Sequence, residues 1–404
     1  MIPALVAERA RRFGPLPFDE VVDLALYHPA HGFYSGARGA GRQRDFLTSP
    51  EVGLLFGAVL ARALDRWWHE LGRPDPFLVV EAGAGTGALA GAVLAAGPEC
   101  AAALRYVLVE RSEALRRLQA ARLALEPAAL VLGPMLAPDP DVGPRPTPGS
   151  GPLATALAEL PEGPFEGVVL ANELLDNLPF RLLERTGDAG HGQGRIERHR
   201  FERHGATHGW AEVRVDADLH EVLVPAAPEA AAEAEHFAPE APAGGRVPLQ
   251  HQAAAWLRSA VGALRRGRVL ALDYADTTPR LASRPWTDWV RTYRSHGRGR
   301  HPLEDLGEQD ITCEVAVDQL AAVRPPAANR RQAEFLVACG IEDLAADARH
   351  RWDERAHIGD LAALRARSLV AEATALTDPA GLGAFRAVEW QVGTGRADRD
   401  RDLG

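Results

Sequence analysis

The sequence predicts an α/β protein built on a mostly parallel sheet with helices on both faces. Two observations predict it. From Phe77 onward short apolar strands alternate with helical stretches, and the first strand meets its helix through glycines at every second position, Gly83, Gly85 and Gly87. Such alternation builds βαβ units, whose crossovers lay helices over the sheet.

Taken in order, residues 1–76 read as a helical N-terminal segment. Phe18 to Tyr27 has the apolar spacing of a helix and stops before Pro29. The Gly- and Arg-rich stretch His28 to Leu47 reads as a loop. Ser49-Pro50-Glu51 then announces a helix: a serine N-cap, a proline at the first helical position and an acid near the positive helix end. Leu54, Leu55, Ala58, Val59, Trp67 and Leu71 fit its buried side.

The core is expected over 77–330, with insertions at about 133–151 and 186–248. Its predicted pieces are a strand Phe77–Glu81, a turn Gly83–Gly87, a helix Ala88–Ala96, a strand Arg105–Glu110, a helix from Ser112 to about Glu126 and a strand Gly167–Ala171. Trp256, Leu257, Ala260, Val261 and Leu264 mark the buried stripe of a later helix. It is expected to close at Gly267 with Arg265 and Arg266 in its last turn, followed by a strand Arg268–Leu272. Gly133–Gly151 and Pro225–Val247 are biased in composition and read as loops or linkers, and Arg195–Val224 as two or three exposed strands. Trp286, Trp289 and Tyr293 fit helix packing at least as well as a substrate platform. Residues 331–404 are expected to add helices and a final strand that complete the core.

Composition narrows the chemistry. With 46% hydrophobic and 25% charged residues the chain has the balance of a soluble globular protein. No apolar run approaches the roughly eighteen residues needed to span a bilayer. Met1 to Phe13 lacks the apolar centre of a signal peptide, so a cytoplasmic location is expected. Cys100, Cys313 and Cys339 show no paired spacing, which disfavours a disulfide framework or a zinc site. His28, His31, His296 and His301 lack metal-ligand spacing too, and no metal is expected. All 45 basic residues are arginine. A P-loop lysine, a pyridoxal Schiff base and a kinase lysine are thereby excluded. The net charge of −10 argues against duplex nucleic acid as the main partner.

The sharpest motif is Val79-Val80-Glu81-Ala82-Gly83-Ala84-Gly85-Thr86-Gly87. Glycines are needed where a turn takes positive φ and the backbone must lie against a ligand. The next strand ends in Glu110, placed to accept hydrogen bonds from both hydroxyls of an adenosine ribose. That logic serves S-adenosylmethionine (SAM) and NAD alike, and a purely structural turn is the third option. Glu81 favours SAM: a dinucleotide fold usually keeps an apolar residue there, whereas SAM enzymes carry an acid near the methionine amino group. The strand ending at Ala171 runs into Asn172-Glu173-Leu174-Leu175-Asp176-Asn177, beyond the carboxyl end of the sheet where ligands sit. If a helical turn follows, Glu173 and Asp176 share one face. A helix cap with solvated acids explains the same residues.

Together these stretches resemble one family, the bacterial SAM-dependent methyltransferases related to the mitochondrial complex I assembly-factor protein arginine methyltransferase. The matching motifs are Gly14-Pro15, Leu26-Tyr27-His28-Pro29, Gly32-Phe33-Tyr34, Asp45-Phe46-Leu47-Thr48-Ser49-Pro50-Glu51 and Leu55-Phe56-Gly57. They continue with the glycine turn, Val109-Glu110-Arg111-Ser112, Asn172-Glu173 with Leu178-Pro179, Leu272-Asp273-Tyr274 and Asp310-Ile311-Thr312. The similarity spans Phe13 to Val315 and returns weakly near Gly383 to Val388. Departures are Arg44 for glycine, Leu175 for an aromatic, Asn177 for a small residue and Glu314 for histidine.

The resemblance implies a class I, Rossmann-like methyltransferase fold with SAM as cofactor. It implies a cofactor site of Glu81, Gly83, Ala84, Gly85, Gly87, Glu110, Arg111 and Asn172, covered by the N-terminal segment with Asp45, Ser49 and Glu51. The expected acceptor is a protein arginine, a respiratory-complex subunit among the candidates. A carboxylate pair would localise and orient a guanidinium, and Glu173 with Asp176 are the catalytic candidates. Asp273 and Asp310 either face the acceptor or serve as strand-end and turn residues. The competing functions are a non-catalytic SAM-binding assembly factor and an NAD-dependent oxidoreductase.

Overall fold

The structure is a computed structural model that describes residues 1–35, 49, 53–133, 147–187, 209–294 and 297–393. The chain forms two compact units, one from residues 1–33, 177–254 and 275–322, the other from 34–176, 255–274 and 323–404.

The unit that holds the glycine turn is organised on a seven-stranded sheet. Its strands in chain order are β1 (Phe77–Ala82), β2 (Leu104–Val109), β3 (Leu153–Leu157), β4 (Phe165–Asn172), β5 (Leu264–Asp273), β6 (Ala328–Arg331) and β7 (Arg386–Val392). They lie side by side as β3-β2-β1-β4-β5-β7-β6. The first five run parallel, while β7 runs antiparallel to both β5 and β6. From β1 the chain builds outward to β2 and β3, then returns to lay β4 and β5 on the other side. Crossovers that diverge from neighbouring strands leave a crevice at their carboxyl ends, here between β1 and β4. Register brings Ala82 opposite Ala171 and Glu81 opposite Leu170 at that end.

Every residue of β1 and β2 is buried, as strands covered on both faces must be. Val79, Tyr106, Leu108 and Leu270 pack with Leu55, Phe56, Val59, Leu60, Leu64 and Trp67 of the helix Leu54–Glu70, and with Phe335, Leu336 and Leu376. Burying each such side chain contributes about 1.5–3 kcal/mol, and truncating Trp67 to alanine would cost about 3–5 kcal/mol through the cavity left behind. Gly57 permits close helix packing: a Cβ there would come 2.3 Å from Ala92 Cβ on the helix Ala88–Ala95.

The other unit carries an antiparallel sheet ordered Leu16–Pro17, Gly209–Val215, Arg181–Thr186, Arg246–Leu249, with Glu221–Pro225 paired to Gly209–Val215. Leu183, Trp210, Val247 and Leu249 meet Ala230, Ala234 and Ala238 in its core. Glu212, buried in this sheet, accepts from Arg181 Nε at 2.7 Å and Arg214 Nε at 2.8 Å. Two guanidiniums thus satisfy one desolvated carboxylate. Glu314 is held alike by Arg284 and Arg291 at 2.7 and 2.8 Å. A histidine at that position would bring no negative charge to either guanidinium.

Several expected elements differ. Pro225–Val247, expected as a linker, contains the helix Pro228–Phe237, and the strand Arg246–Leu249 begins within it. Its alanines are strong helix formers, and Ala230 and Ala234 are buried, so a biased composition hid an ordinary packed stripe. The helix with Trp256 spans His251–Gly262, so Arg265 and Arg266 lie in β5 rather than in a last helical turn. There Arg266 donates to Glu166 of β4 at 2.8 Å. Trp286 opens a short 3₁₀ turn, Trp289 follows it, and Tyr293 lies in the strand Val290–Arg294, so none is in an α-helix. Leu54 is exposed instead of buried.

Of the helix start expected at Ser49-Pro50-Glu51, only Ser49 is among the described residues. The described helix begins at Leu54 and takes its cap from elsewhere: Glu372 accepts from the Leu55 N–H at 2.9 Å, supplying the negative charge that a helix N-terminus favours.

Candidate active site

The site is built at the carboxyl ends of β1, β2 and β4. After β1 the chain turns through Gly83, Gly85 and Gly87 with φ of 68°, 52° and 75°, conformations that other residues reach only at a cost of about 1–2 kcal/mol. The turn is tied internally and to β2. Gly87 N–H donates to Ala84 O at 2.8 Å, and Ala84 N–H to Val109 O at 3.0 Å. A Cβ on Gly83 would meet Leu174 Cδ1 at 2.9 Å, so the segment after β4 lies directly on the turn.

Glu110 follows β2. Its Oε2 accepts from Gly85 N–H at 3.0 Å and its Oε1 from Ser112 N–H at 2.8 Å. Ser112 caps the next helix, which runs Glu113–Arg122 and so ends about four residues before the expected Glu126. From that helix Gln119, fully buried, donates Nε2 to Gly85 O at 2.8 Å. The Gly85 peptide is therefore gripped at both polar atoms. Glu81, also buried, accepts from the Tyr106 hydroxyl at 2.8 Å. Burial and the adjacent carboxylate push the Tyr106 phenol well above its ordinary range, so the hydroxyl keeps its proton and remains the donor.

At the end of β4, Glu173 adopts φ 50°, sparsely populated for a residue with a side chain. Its N–H donates to Leu272 O at 2.8 Å. Its Oε1 accepts from Ser49 N–H at 3.1 Å and from the Asn172 amide at 3.3 Å. Asn172 Oδ1 is buried and has no hydrogen-bond partner among the described residues. Ser49 is anchored in turn, its Oγ paired with Gln332 at 3.2 Å.

Glu173 and Asp176 do not share the face of an α-helical turn. Leu175–Asn177 is a single 3₁₀ turn, with Glu173 outside it in left-handed backbone. Asp273, at the end of β5, holds that turn: its Oδ2 accepts from Leu175 N–H at 2.9 Å and Asp176 N–H at 3.2 Å, and its Oδ1 from Tyr274 N–H at 2.9 Å. Of the two readings open for Asp273, the strand-end role describes its contacts. Burial first, and the Glu173 charge second, hold its carboxyl well above the usual range.

In the other unit, Asp310, the first residue of the strand Asp310–Cys313, accepts from the Asn177 amide at 3.0 Å and from Ile311 N–H at 2.9 Å. Asp45 and Glu51 lie outside the described residues. Tyr106 and Gln119 did not emerge from the sequence as site residues. Gln119 had a signal: it falls four residues after Leu115 on the buried stripe of its helix, where a polar side chain needs a partner. Tyr106 had none, because its reach to Glu81 depends on strand register.

The sheet order, its single reversed strand β7 and the glycine turn after β1 define a class I SAM-methyltransferase fold, as the sequence predicted. A sequence model of the S-adenosyl-L-methionine-dependent methyltransferases matches residues 59–334, and the chain belongs to that family. Among solved structures it is similar to a COG1565 superfamily member from Burkholderia thailandensis bound to S-adenosyl-homocysteine (TM-score 0.72, 26% identity, 98% of this chain and 92% of that one). The cofactor is S-adenosyl-L-methionine.

The chain is also similar to the mitochondrial protein arginine methyltransferase NDUFAF7 of Homo sapiens, at 30% identity over 55% of this chain and 48% of that one. The Drosophila melanogaster homologue is 34% identical over 42% of this chain and 39% of its own length. The matched stretch thus spans less than half of these two relatives. Among the described residues no helix is long and apolar enough to cross a membrane.

Proposed function

We propose that this protein transfers a methyl group from SAM to an arginine side chain of a protein. The observation that carries the reading is Glu173, a carboxylate fixed beside the cofactor turn in backbone that only surrounding structure can maintain. An arginine acceptor is a delocalised cation, and a fixed carboxylate localises its charge and turns one nitrogen toward the reacting carbon. The mitochondrial relatives are named protein arginine methyltransferases, in agreement with such an acceptor.

The residues present fit the cofactor. Glu110, already aligned by two backbone donors, would accept from the ribose hydroxyls. Glu81 would face the methionine ammonium, and Gly83, Ala84, Gly85 and Gly87 would offer backbone at close range. Arg111 and Asn172, whose buried Oδ1 lacks a partner among the described residues, complete this set. SAM, when bound, supplies an electrophilic methyl on a sulfonium. The protein's part is then to align the guanidinium and exclude water. Ser49 keeps Glu173 aimed, and Asp273 pins the turn bearing Asp176, the second carboxyl proposed for the acceptor.

Protein from cells lacking this gene, incubated with the purified enzyme and methyl-labelled SAM, should yield labelled methylarginine on hydrolysis. Glu173→Gln should bind S-adenosylhomocysteine as the parent does and transfer at least a hundredfold more slowly, since a hydrogen bond to a charged group is lost where charge is being localised. Label on another amino acid, or undiminished turnover by Glu173→Gln, would overturn the reading.

A further inference from the structure

We infer that Tyr106 is a positioning residue for the amino-acid end of the cofactor, acting through Glu81; this rests on the proposed role of Glu81. Glu81 lies on β1 and Tyr106 on β2, paired in register with Val79, so Val79, Glu81 and Tyr106 project from one face of the sheet. Val79 and Tyr106 belong to the same apolar cluster, and both are fully buried. Glu81 is thus an acid at the edge of a hydrophobic layer, only 5% exposed. A carboxylate taken so far out of water needs hydrogen-bond donors. The Tyr106 hydroxyl is a neutral donor to Oε2 at 2.8 Å. It fixes the carboxylate's rotamer without cancelling its charge, which an arginine in its place would do.

SAM carries a cation in its amino-acid end, the α-ammonium, and the role proposed for Glu81 is to face it. The phenol orients Glu81 before the ligand arrives, so less ordering is left to occur on binding. The same geometry separates the two halves of the cofactor. The adenosine half would be read by Glu110 and the amino-acid half by Glu81 as aimed by Tyr106.

Two ligands separate these halves. S-adenosylhomocysteine carries the amino-acid arm, and 5′-methylthioadenosine lacks it while keeping the adenosine. Tyr106→Phe removes one oxygen and keeps the ring in the core. By calorimetry on the full chain it should weaken S-adenosylhomocysteine about tenfold, because Glu81 must then be ordered as the ligand binds, and leave methylthioadenosine unchanged. Glu81→Gln should show the same selectivity with a larger loss. If Tyr106→Phe weakens both ligands alike, or neither, Tyr106 serves only the fold and the inference is overturned. If Glu81→Gln is itself unselective, the role of Glu81 is wrong and the inference fails with it. Selectivity in Glu81→Gln alone would reject Tyr106 while sparing Glu81.

Discussion

Gly85 and Glu110 hold one another across the glycine turn after β1: the Gly85 N–H donates to Glu110 Oε2 at 3.0 Å, while Gln119 takes the Gly85 carbonyl at 2.8 Å. Glycine supplies the backbone freedom, and the two side chains remove it again. A turn flexible in the isolated sequence is thereby set before any ligand binds, which lowers the ordering cost of binding.

Glu110→Ala should therefore weaken S-adenosylhomocysteine and methylthioadenosine by the same factor, about 100-fold, because two hydrogen bonds to a charged group are worth roughly 3 kcal/mol together. Calorimetric titration of both ligands checks it. Retained affinity for either would remove Glu110 from the ribose.

Gly83→Ala should destabilise the fold by about 1–2 kcal/mol from its φ of 68° alone, and more once Leu174 is pushed aside. Urea denaturation would report a lower midpoint at unchanged slope. A midpoint equal to that of the parent would mean that the turn does not have this geometry.

Glu372→Ala should cost about 1–3 kcal/mol, since the Leu55 N–H at the start of the helix Leu54–Glu70 would lose a buried acceptor. Glu372→Gln keeps an oxygen and should restore part of the loss. Equal stability of all three proteins in denaturant would show that this helix is capped by other means.

The pair His251–Glu233 predicts a pH effect. Its Nε2···Oε2 contact of 2.7 Å is the main cause that raises the His251 imidazole above its ordinary value, with burial opposing. A raised histidine favours the folded state fully below the unfolded value of about 6.5, and that contribution is lost as pH climbs through the folded value. The pair is half exposed, so the effect on melting temperature is small. The imidazole titration followed by NMR is the sharper reading. Glu233→Gln should move the midpoint down, and an unmoved midpoint would exclude the pair as its cause.

Much of the core was legible along the chain. The edges of β1, β2 and β4 fall within two residues of their predicted limits, because apolar runs between turns carry that information locally. Glu81, Glu110, Asn172 and Glu173 stood out as candidates because each ends or nearly ends such a strand. The misread elements share a cause as well. The helix Pro228–Phe237 hid in an alanine-rich stretch whose composition resembled a linker, and Trp286, Trp289 and Tyr293, before and within the strand Val290–Arg294, have a spacing that also suits a helix.

By itself the sequence determined which strands end in acids, where the backbone must turn through glycine, and that no lysine chemistry is available. Those are properties of neighbours in the chain. Only the tertiary structure decided that Tyr106 holds Glu81, that Ser49 reaches Glu173, that Asp273 clamps a turn nearly a hundred residues earlier, and that Glu372 caps a helix begun at Leu54. Each joins groups far apart in sequence whose meeting depends on strand order and register. Burial then makes the meeting obligatory, because a polar group removed from water must find a partner wherever the fold has placed one.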